Sequence, residues 1–226
     1  MIYFKLLTEK IMHYQIINNT IVYDFQKGID FIAQKGKQIH GPHFNLLDED
    51  MGIIRKLFAY TIGDHDIILQ CGLDPRKGIM LCGPIGCGKT SLMQLMQFLV
   101  PPQYRFPVKP CRDVSFEFQK DGFDVIHRYS KRSFTIKPGI KTPKTICFDD
   151  LGAEQNLKHF GSECNVMAEI LLSRYELFTS DKLITHITTN LNATEIEELY
   201  DKRVRSRLRE MVNVISFPEE AADKRK

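Results

Sequence analysis

The stretch "GPIGCGKT", residues 83–90, has the spacing G-x-x-x-x-G-K-[ST]. It follows the short apolar run "GIMLCG" and opens a segment in which Leu92, Leu95, Met96 and Leu99 fall on one helical face. Gly83, Gly86 and Gly88 allow the backbone to curl until its N–H groups converge, at a helix N-terminus whose dipole also favours an anion. The spacing therefore points to a phosphate cradle built from Gly83, Pro84, Ile85, Gly86, Cys87, Gly88, Lys89, Thr90 and Ser91. In it Lys89 would reach β- and γ-phosphates and Thr90 would offer its hydroxyl to Mg²⁺. Cys87 contributes backbone only. The plain alternative is a glycine-rich turn before a helix.

Three further groups could join that chemistry. "TICFDDLG", residues 145–152, puts two carboxylates directly after an apolar strand, where a parallel sheet delivers side chains to its ligand crevice. Asp149 is the candidate Mg²⁺ partner through water, Asp150 the candidate for polarising an attacking water, and Glu154 a reserve. "ITTN", residues 187–190, ends another strand with Asn190, a neutral amide able to hold a γ-phosphate or a water. Turn and cap roles are the plain alternatives for both. Near the other end, "DKRVRSRLREM" read as a helix has Val204, Leu208 and Met211 as its apolar stripe, with Arg203 and Arg207 on one flank and Arg205 and Arg209 on the other. A solvated basic face is the alternative there.

A different chemistry is suggested by "KRSFTIKPGIKTPK", residues 131–144, which carries Lys131, Arg132, Lys137, Lys141 and Lys144 without an acid. Pro and Gly make it a loop by expectation. Phe116, Phe118, Phe123 and Tyr129 precede it, and cations on phosphates beside aromatics under bases bind single strands without regard to sequence. Core aromatics and a solvated loop would give the same pattern.

The elements that must position these groups are readable in outline. The 226 residues, 43% hydrophobic, suffice for one principal domain, and a net charge of +3 is too small to identify a nucleic-acid binder by itself. Six cysteines with neither CxxC nor metal spacing, and no signal or membrane-spanning segment, lead to the expectation of a reduced cytoplasm and no membrane. Residues 1–45 read as an irregular leader with one possible hairpin, "YQII" and "TIVY" around "NN". Leu47, Met51, Ile54 and Phe58 then mark a helix ending near "GDHD". Strands are expected at "GIMLCG", "RFPVKP", "TICFDD", "KLITHITTN" and "VNVISF", with helices such as "NVMAEILLSRYELF" and "TEIEELY" between them, the latter opened by a Thr194/Glu197 capping box. This alternation implies an α/β fold with a parallel sheet covered on both faces.

The ordered set "GPIGCGKT", "CFDDLG", "ITTN" and "RVRSRL" resembles AAA+ ATPases, most closely the DnaC-like helicase loaders and IstB-like transposition ATPases, over roughly residues 45–217. The resemblance implies a P-loop αβα sandwich with a five-stranded parallel sheet, and ATP bound between neighbouring subunits of a homo-oligomer. It makes Lys89 and Thr90 the Walker A pair, Asp149 and Asp150 the Walker B pair, Asn190 sensor 1, and Arg207, with Arg203 its companion, an arginine finger. It also places single-stranded DNA on the region between the second strand and Walker B. Asp150 stands where most AAA+ enzymes have Glu, so slow, switch-like hydrolysis is expected. Only nine residues follow "VNVISF", so the helical lid and its arginine are expected to be missing. The expectation is thus a leader, 1–45, and an AAA+ domain, 46–226, using ATP and Mg²⁺ and acting on DNA beside a replicative helicase. The alternatives are a regulator paired with a transposase, and a nucleotide-switched protein-binding module with negligible hydrolysis.

Overall fold

A computed structural model describes residues 14–17, 20–154, 158–159 and 162–225. The hairpin is present: β1 (Tyr14–Ile17) pairs antiparallel with β2 (Thr20–Tyr23), while Asn18 and Asn19 lie outside the described residues. The stretch from residue 24 to residue 40 is less irregular than its composition suggests. Asp24 accepts the Lys27 N–H at 3.0 Å and opens α1 (Phe25–His40), whose Ile29 and Ile32 are buried. Next come α2 (Met51–Ile62), closed by left-handed Gly63, and α3 (His65–Gln70), capped by Asp64.

The site-bearing part begins with β3 (Gly78–Cys82) and α4 (Lys89–Met96). It continues through β4 (Val108–Pro110), α5 (Cys111–Asp121), α6 (Asp124–Tyr129) and the strands β5 (Phe134–Lys137) and β6 (Ile140–Pro143). After β7 (Ile146–Leu151) and the short pair β8 (Lys158–His159) and β9 (Ser162–Glu163) comes α7 (Val166–Asp181). The order ends with β10 (Thr185–Thr189), α8 (Ala193–Met211) and β11 (Val212–Ser216).

Five strands form one parallel sheet in the order β11-β3-β10-β7-β4. Alternation along the strands divides the core into two layers. Ile79, Leu81, Cys147 and Ile215 pack with α1 to α4, and Met80, Ile146, Phe148 and Ile187 with α5, α7 and α8. Because α1 shares the first layer, that helix of the leader is built into the same core. Gly78 permits the close approach of β3 to β10, since a Cβ there would lie 1.8 Å from the Thr185 carbonyl oxygen. Asn213 on β11 ties the turn before β3 in place, accepting the Asp74 N–H at 2.8 Å and donating to the Asp74 and Gly78 carbonyls at 2.8 and 3.1 Å.

Arg174 of α7 is fully buried, and among the described residues no carboxylate pairs with it. Its Nε donates to Thr185 Oγ1 at 2.8 Å, Nη1 to the Tyr129 carbonyl at 2.7 Å and Ser133 Oγ at 3.2 Å, and Nη2 to the Ile184 and Lys144 carbonyls at 2.8 and 3.3 Å. Five bonds use every N–H that a guanidinium owns. Burial pulls its pKa down, to about 9.

Two local expectations are corrected. The loop expected over 131–144 is a β-hairpin, β5 with β6, in which Lys137 pairs with Ile140 across Pro138 and Gly139. Pro followed by left-handed Gly139 (φ 75°) is the order a type II turn asks for, and Thr and Ile on either side favour strands. The helix α8 starts two residues earlier than expected: Asn192, not Thr194, is its cap, with Glu195 bonding back to the Asn192 N–H at 2.7 Å. Asn is the stronger cap of the two.

The helix α8 is also interrupted. Asp201 stands at φ 77°, ψ 168°, backbone that is almost the preserve of glycine, and its carboxylate accepts the N–H groups of Arg203 and Val204 at 2.6 and 3.0 Å. It thereby caps a second helical segment that carries all four arginines. Asp201→Ala keeps the strain and loses the cap, and is expected to destabilise by about 1 kcal/mol in urea unfolding. Asp201→Gly loses the cap but relieves the strain, so its midpoint should lie above that of Asp201→Ala; the reverse order would show that no strain is stored at this kink.

Candidate functional site

The glycine-rich loop expected to cradle phosphate joins the end of β3 to the start of α4, with Gly86 and Gly88 at φ 85° and 98°. Both values are open to glycine and closed to most residues. Lys89 is 5% exposed, and its ammonium donates to the Gly83 and Pro84 carbonyls, each at 2.9 Å.

Asp149 is 6% exposed at the end of β7. Thr90 Oγ1 donates to it at 2.9 Å, with its second carboxylate oxygen at 3.1 Å, and Thr188 Oγ1 of β10 donates at 2.6 Å. Thr188 in turn accepts the Asp150 N–H at 2.9 Å. Burial pushes the Asp149 pKa up, the two threonine hydroxyls and Lys89 pull it down, and Asp150 adds to the rise; the net direction is up. Neighbouring Asp150 is treated differently. Ile187 pairs with Phe148 and Thr189 with Leu151, so two residues of β7 face one of β10, and Asp150 takes φ 53°. This is a bulge, a device that re-aims a side chain beside a site. It leaves Asp149 beneath the loop and Asp150 exposed toward the cleft.

The cleft has a volume of about 820 Å³ and is lined by the loop from Ile85 to Leu92, by Asp150 and by Asn190. Its other walls have no sequence motif. One is the stretch between α1 and α2, with His40, His43, Phe44 and Asn45; the other is the segment Ala222–Arg225. Glu154 does not line it: its carboxylate accepts the Gly152 N–H at 2.9 Å and the Tyr200 hydroxyl. Thr188 has no signal of its own in the sequence either, although the polar end of "ITTN" contains it.

The expected groups fit their ligands in kind. No cluster of three or more His, Cys, Asp or Glu side chains suited to a metal exists among the described residues. Thr90 and Asp149 supply two hard oxygen donors, which suits Mg²⁺, an ion that takes one or two protein oxygens and completes its shell with phosphate and water. The curled loop and a cleft of about 820 Å³ suit a nucleoside triphosphate.

The arginines sort by flank. Arg207 stacks 4.3 Å from the Tyr175 ring centre, donates to its hydroxyl at 3.1 Å and lies 3.5 Å from Glu210. Arg203 is exposed, and neither it nor Arg207 lines the cleft of its own chain. Arg205 pairs with Glu197 at 2.5 Å and, with Arg209, lines a second cleft of about 760 Å³ that borders Gly83 and Asn190.

In the basic region Lys131 is exposed, Arg132 pairs with Asp124 at 2.7 Å, and Lys141 lies over the Phe134 ring and 3.6 Å from Asp181. Lys137 is on β5, its side chain outside those described. Phe118 is core, Tyr129 is half-buried against Glu117, and Phe116 and Phe123 are at the surface. Ile136 and Ile140 are exposed near the hairpin tip.

No protein-family model and no curated protein matches the chain. Solved structures do. A "putative primosome component" from Streptococcus pyogenes serotype M3 is 17% identical, with a TM-score of 0.51 over 88% of this chain and 100% of that one. The DnaC helicase loader is 16% identical, with a TM-score of 0.46 over 70% and 88%, and AMPPCP-bound DnaA from Aquifex aeolicus is 12% identical, with a TM-score of 0.48 over 77% and 48%. At such identities the likeness concerns the path of the backbone. The chain shares with that primosome component an α/β fold, here a five-stranded parallel sheet between two helical layers.

Proposed function

We propose that the chain is an ATP-binding, slowly hydrolysing ATPase that acts on DNA in the manner of a helicase loader. One observation carries the nucleotide part: Thr90, Asp149 and Thr188 form a hydrogen-bonded set directly under the phosphate loop, with Asp150 and Asn190 at the rim of the same cleft. Thr90 and Asp149 would hold Mg²⁺, which when bound neutralises phosphate charge. Lys89 exchanges its carbonyl partners for phosphate oxygens. Asp150 accepts a proton or a hydrogen bond from the attacking water, and Asn190 orients it by donating its amide N–H. The short side chain of Asp150, on a bulge, favours slow turnover. A phosphoryl group in transfer spreads charge over its oxygens, and a guanidinium stabilises that charge. Arg207 and Arg203 do not line their own cleft, which supports action on the cleft of a neighbouring copy in a homo-oligomer. Lys131, Arg132 and Lys137 would track single-stranded DNA. A replicative helicase is the partner we infer. No helix among the described residues is long and apolar enough to cross a membrane.

Lys89→Ala should abolish ATP binding or turnover with the circular dichroism spectrum unchanged, because the ammonium serves phosphate and not core packing. Asp149→Asn separates chemistry from folding. A carboxyl whose pKa is raised by folding penalises the native state once it ionises, so this group's contribution to stability falls as pH rises above its unfolded value near 3.8. At pH 7 the melting temperature of Asp149→Asn should therefore be no lower than wild type, while Mg²⁺-dependent turnover is lost. Normal turnover in either folded variant removes the nucleotide reading.

Replacing Lys131, Arg132 and Lys137 by Gln should weaken single-strand binding and flatten its salt dependence, by about 0.7 in the log–log slope for each phosphate that is no longer neutralised. An unchanged slope returns the hairpin to an ordinary solvated surface.

Arg207→Ala should reduce turnover by less than the roughly 10³ to 10⁵ typical of arginine fingers in fast enzymes. Mixing it with Lys89→Ala should restore activity, since some interfaces then combine an intact loop with an intact arginine. Mixed oligomers without regained activity would exclude action in trans, and a fully active Arg207→Ala would exclude a catalytic role.

A further inference from the structure

One wall of the cleft has no task in the proposed chemistry. After β11 the chain turns back across the phosphate loop. Phe217 lies against Gly83, where a Cβ would come within 2.7 Å of the Phe217 Cβ, and Asp223 lies against Gly86, where a Cβ would be 2.1 Å from its carboxylate. Lys224 makes the closest attachment. Its N–H donates to the Gly86 carbonyl at 3.0 Å, its ammonium donates to the Cys87 carbonyl at 2.7 Å, and the same ammonium pairs with the carboxylate of Asp50. Asp50, just before α2, is 5% exposed. One side chain thus fastens three stretches of chain that are distant in sequence.

A loop that turns successive N–H groups toward an anion turns the intervening carbonyls elsewhere, and buried carbonyls need donors. Gly86 and Cys87 are both buried, and Lys224 supplies a donor to each. Asp50 neutralises the ammonium, so the contact acts on the shape of the loop more than on its field. Engaging the carbonyls also polarises their amides, which makes the N–H groups of the next residues better donors.

We propose that Lys224, held by Asp50, is a positioning residue that presets the 83–90 loop for phosphate. It touches no reacting atom, and the inference rests on the nucleotide reading of the cleft. Titration calorimetry with ATP on the full chain tests it, using wild type, Lys224→Met, Lys224→Arg, Asp50→Asn and the double variant Asp50→Asn/Lys224→Met. The dissociation constant should rise about tenfold in Lys224→Met, the scale of a hydrogen bond from a charged group, with stoichiometry unchanged. Lys224→Arg should stay near wild type, and the double variant should bind no worse than Lys224→Met. An unchanged constant in Lys224→Met, a fall in stoichiometry without a change in constant, or losses that add in the double variant would each overturn the inference. If Lys224→Met does not fold, Asp50→Asn carries the test, with a several-fold loss expected and none overturning it. A wild-type chain that binds no ATP would overturn the nucleotide reading itself, a result distinct from wild-type binding with indifferent variants.

Discussion

A carboxylate buried at the end of a strand must find hydrogen-bond donors, and Asp149 finds them on two other elements. Thr90 reaches it from α4 and Thr188 from β10. Those bonds fix how the helix that begins at the phosphate loop sits relative to the two strands beside it. The bulge at Asp149 and Asp150 sits on the same bonds, for Thr188, the β10 residue opposite it, donates to the Asp149 carboxylate and accepts the Asp150 N–H. Site and sheet are therefore not separable: the geometry that would bind a metal also sets the strand register.

A second buried charge has a comparable role at the opposite end of the strands. Arg174 gathers carbonyls and hydroxyls from the end of α6, the base of the β5–β6 hairpin and the start of β10. A buried cation that pairs with no carboxylate among the described residues is tolerable only when its donors are used, and here all five are. The basic hairpin is thereby anchored to the strand whose far end carries Thr188 and Asn190. Lysine, with three donors at a single nitrogen, could not make the same spread of contacts.

The loop, the acid pair and the five strands are legible in the sequence because each is a local pattern: fixed glycine spacing, an apolar run ending in polar groups, helical periodicity. What stays hidden depends on contacts between distant residues. Thr188 looks like any strand threonine until β7 lies beside it. The helix α1 gives little signal because its apolar positions are sparse, and Gly28 and Gly36, poor helix formers, lie under Phe58 and Phe44, where a Cβ would come within 2.3 and 2.1 Å. The cap of α8 is ambiguous by two residues because Asn192 and Thr194 each precede a glutamate by three, and the pattern does not say that Glu197 belongs to Arg205. The hairpin at 134–143 looks like a loop as long as Pro and Gly count only as breakers, when their order is that of a tight turn.

The pairing of Val212 with Gly78 has a consequence for how the molecule is made. The strand that leads into the phosphate loop lies between β10 and β11, both formed from chain synthesised more than a hundred residues later. While the protein emerges from the ribosome, β3 therefore has an apolar sequence and no partner on either side. Contacts so far apart slow folding and leave a hydrophobic edge open to other chains in the meantime. The cleft bordered by β3 can assume its shape only after β11 has been made, so its walls stay unassembled and the open edge persists until that strand arrives.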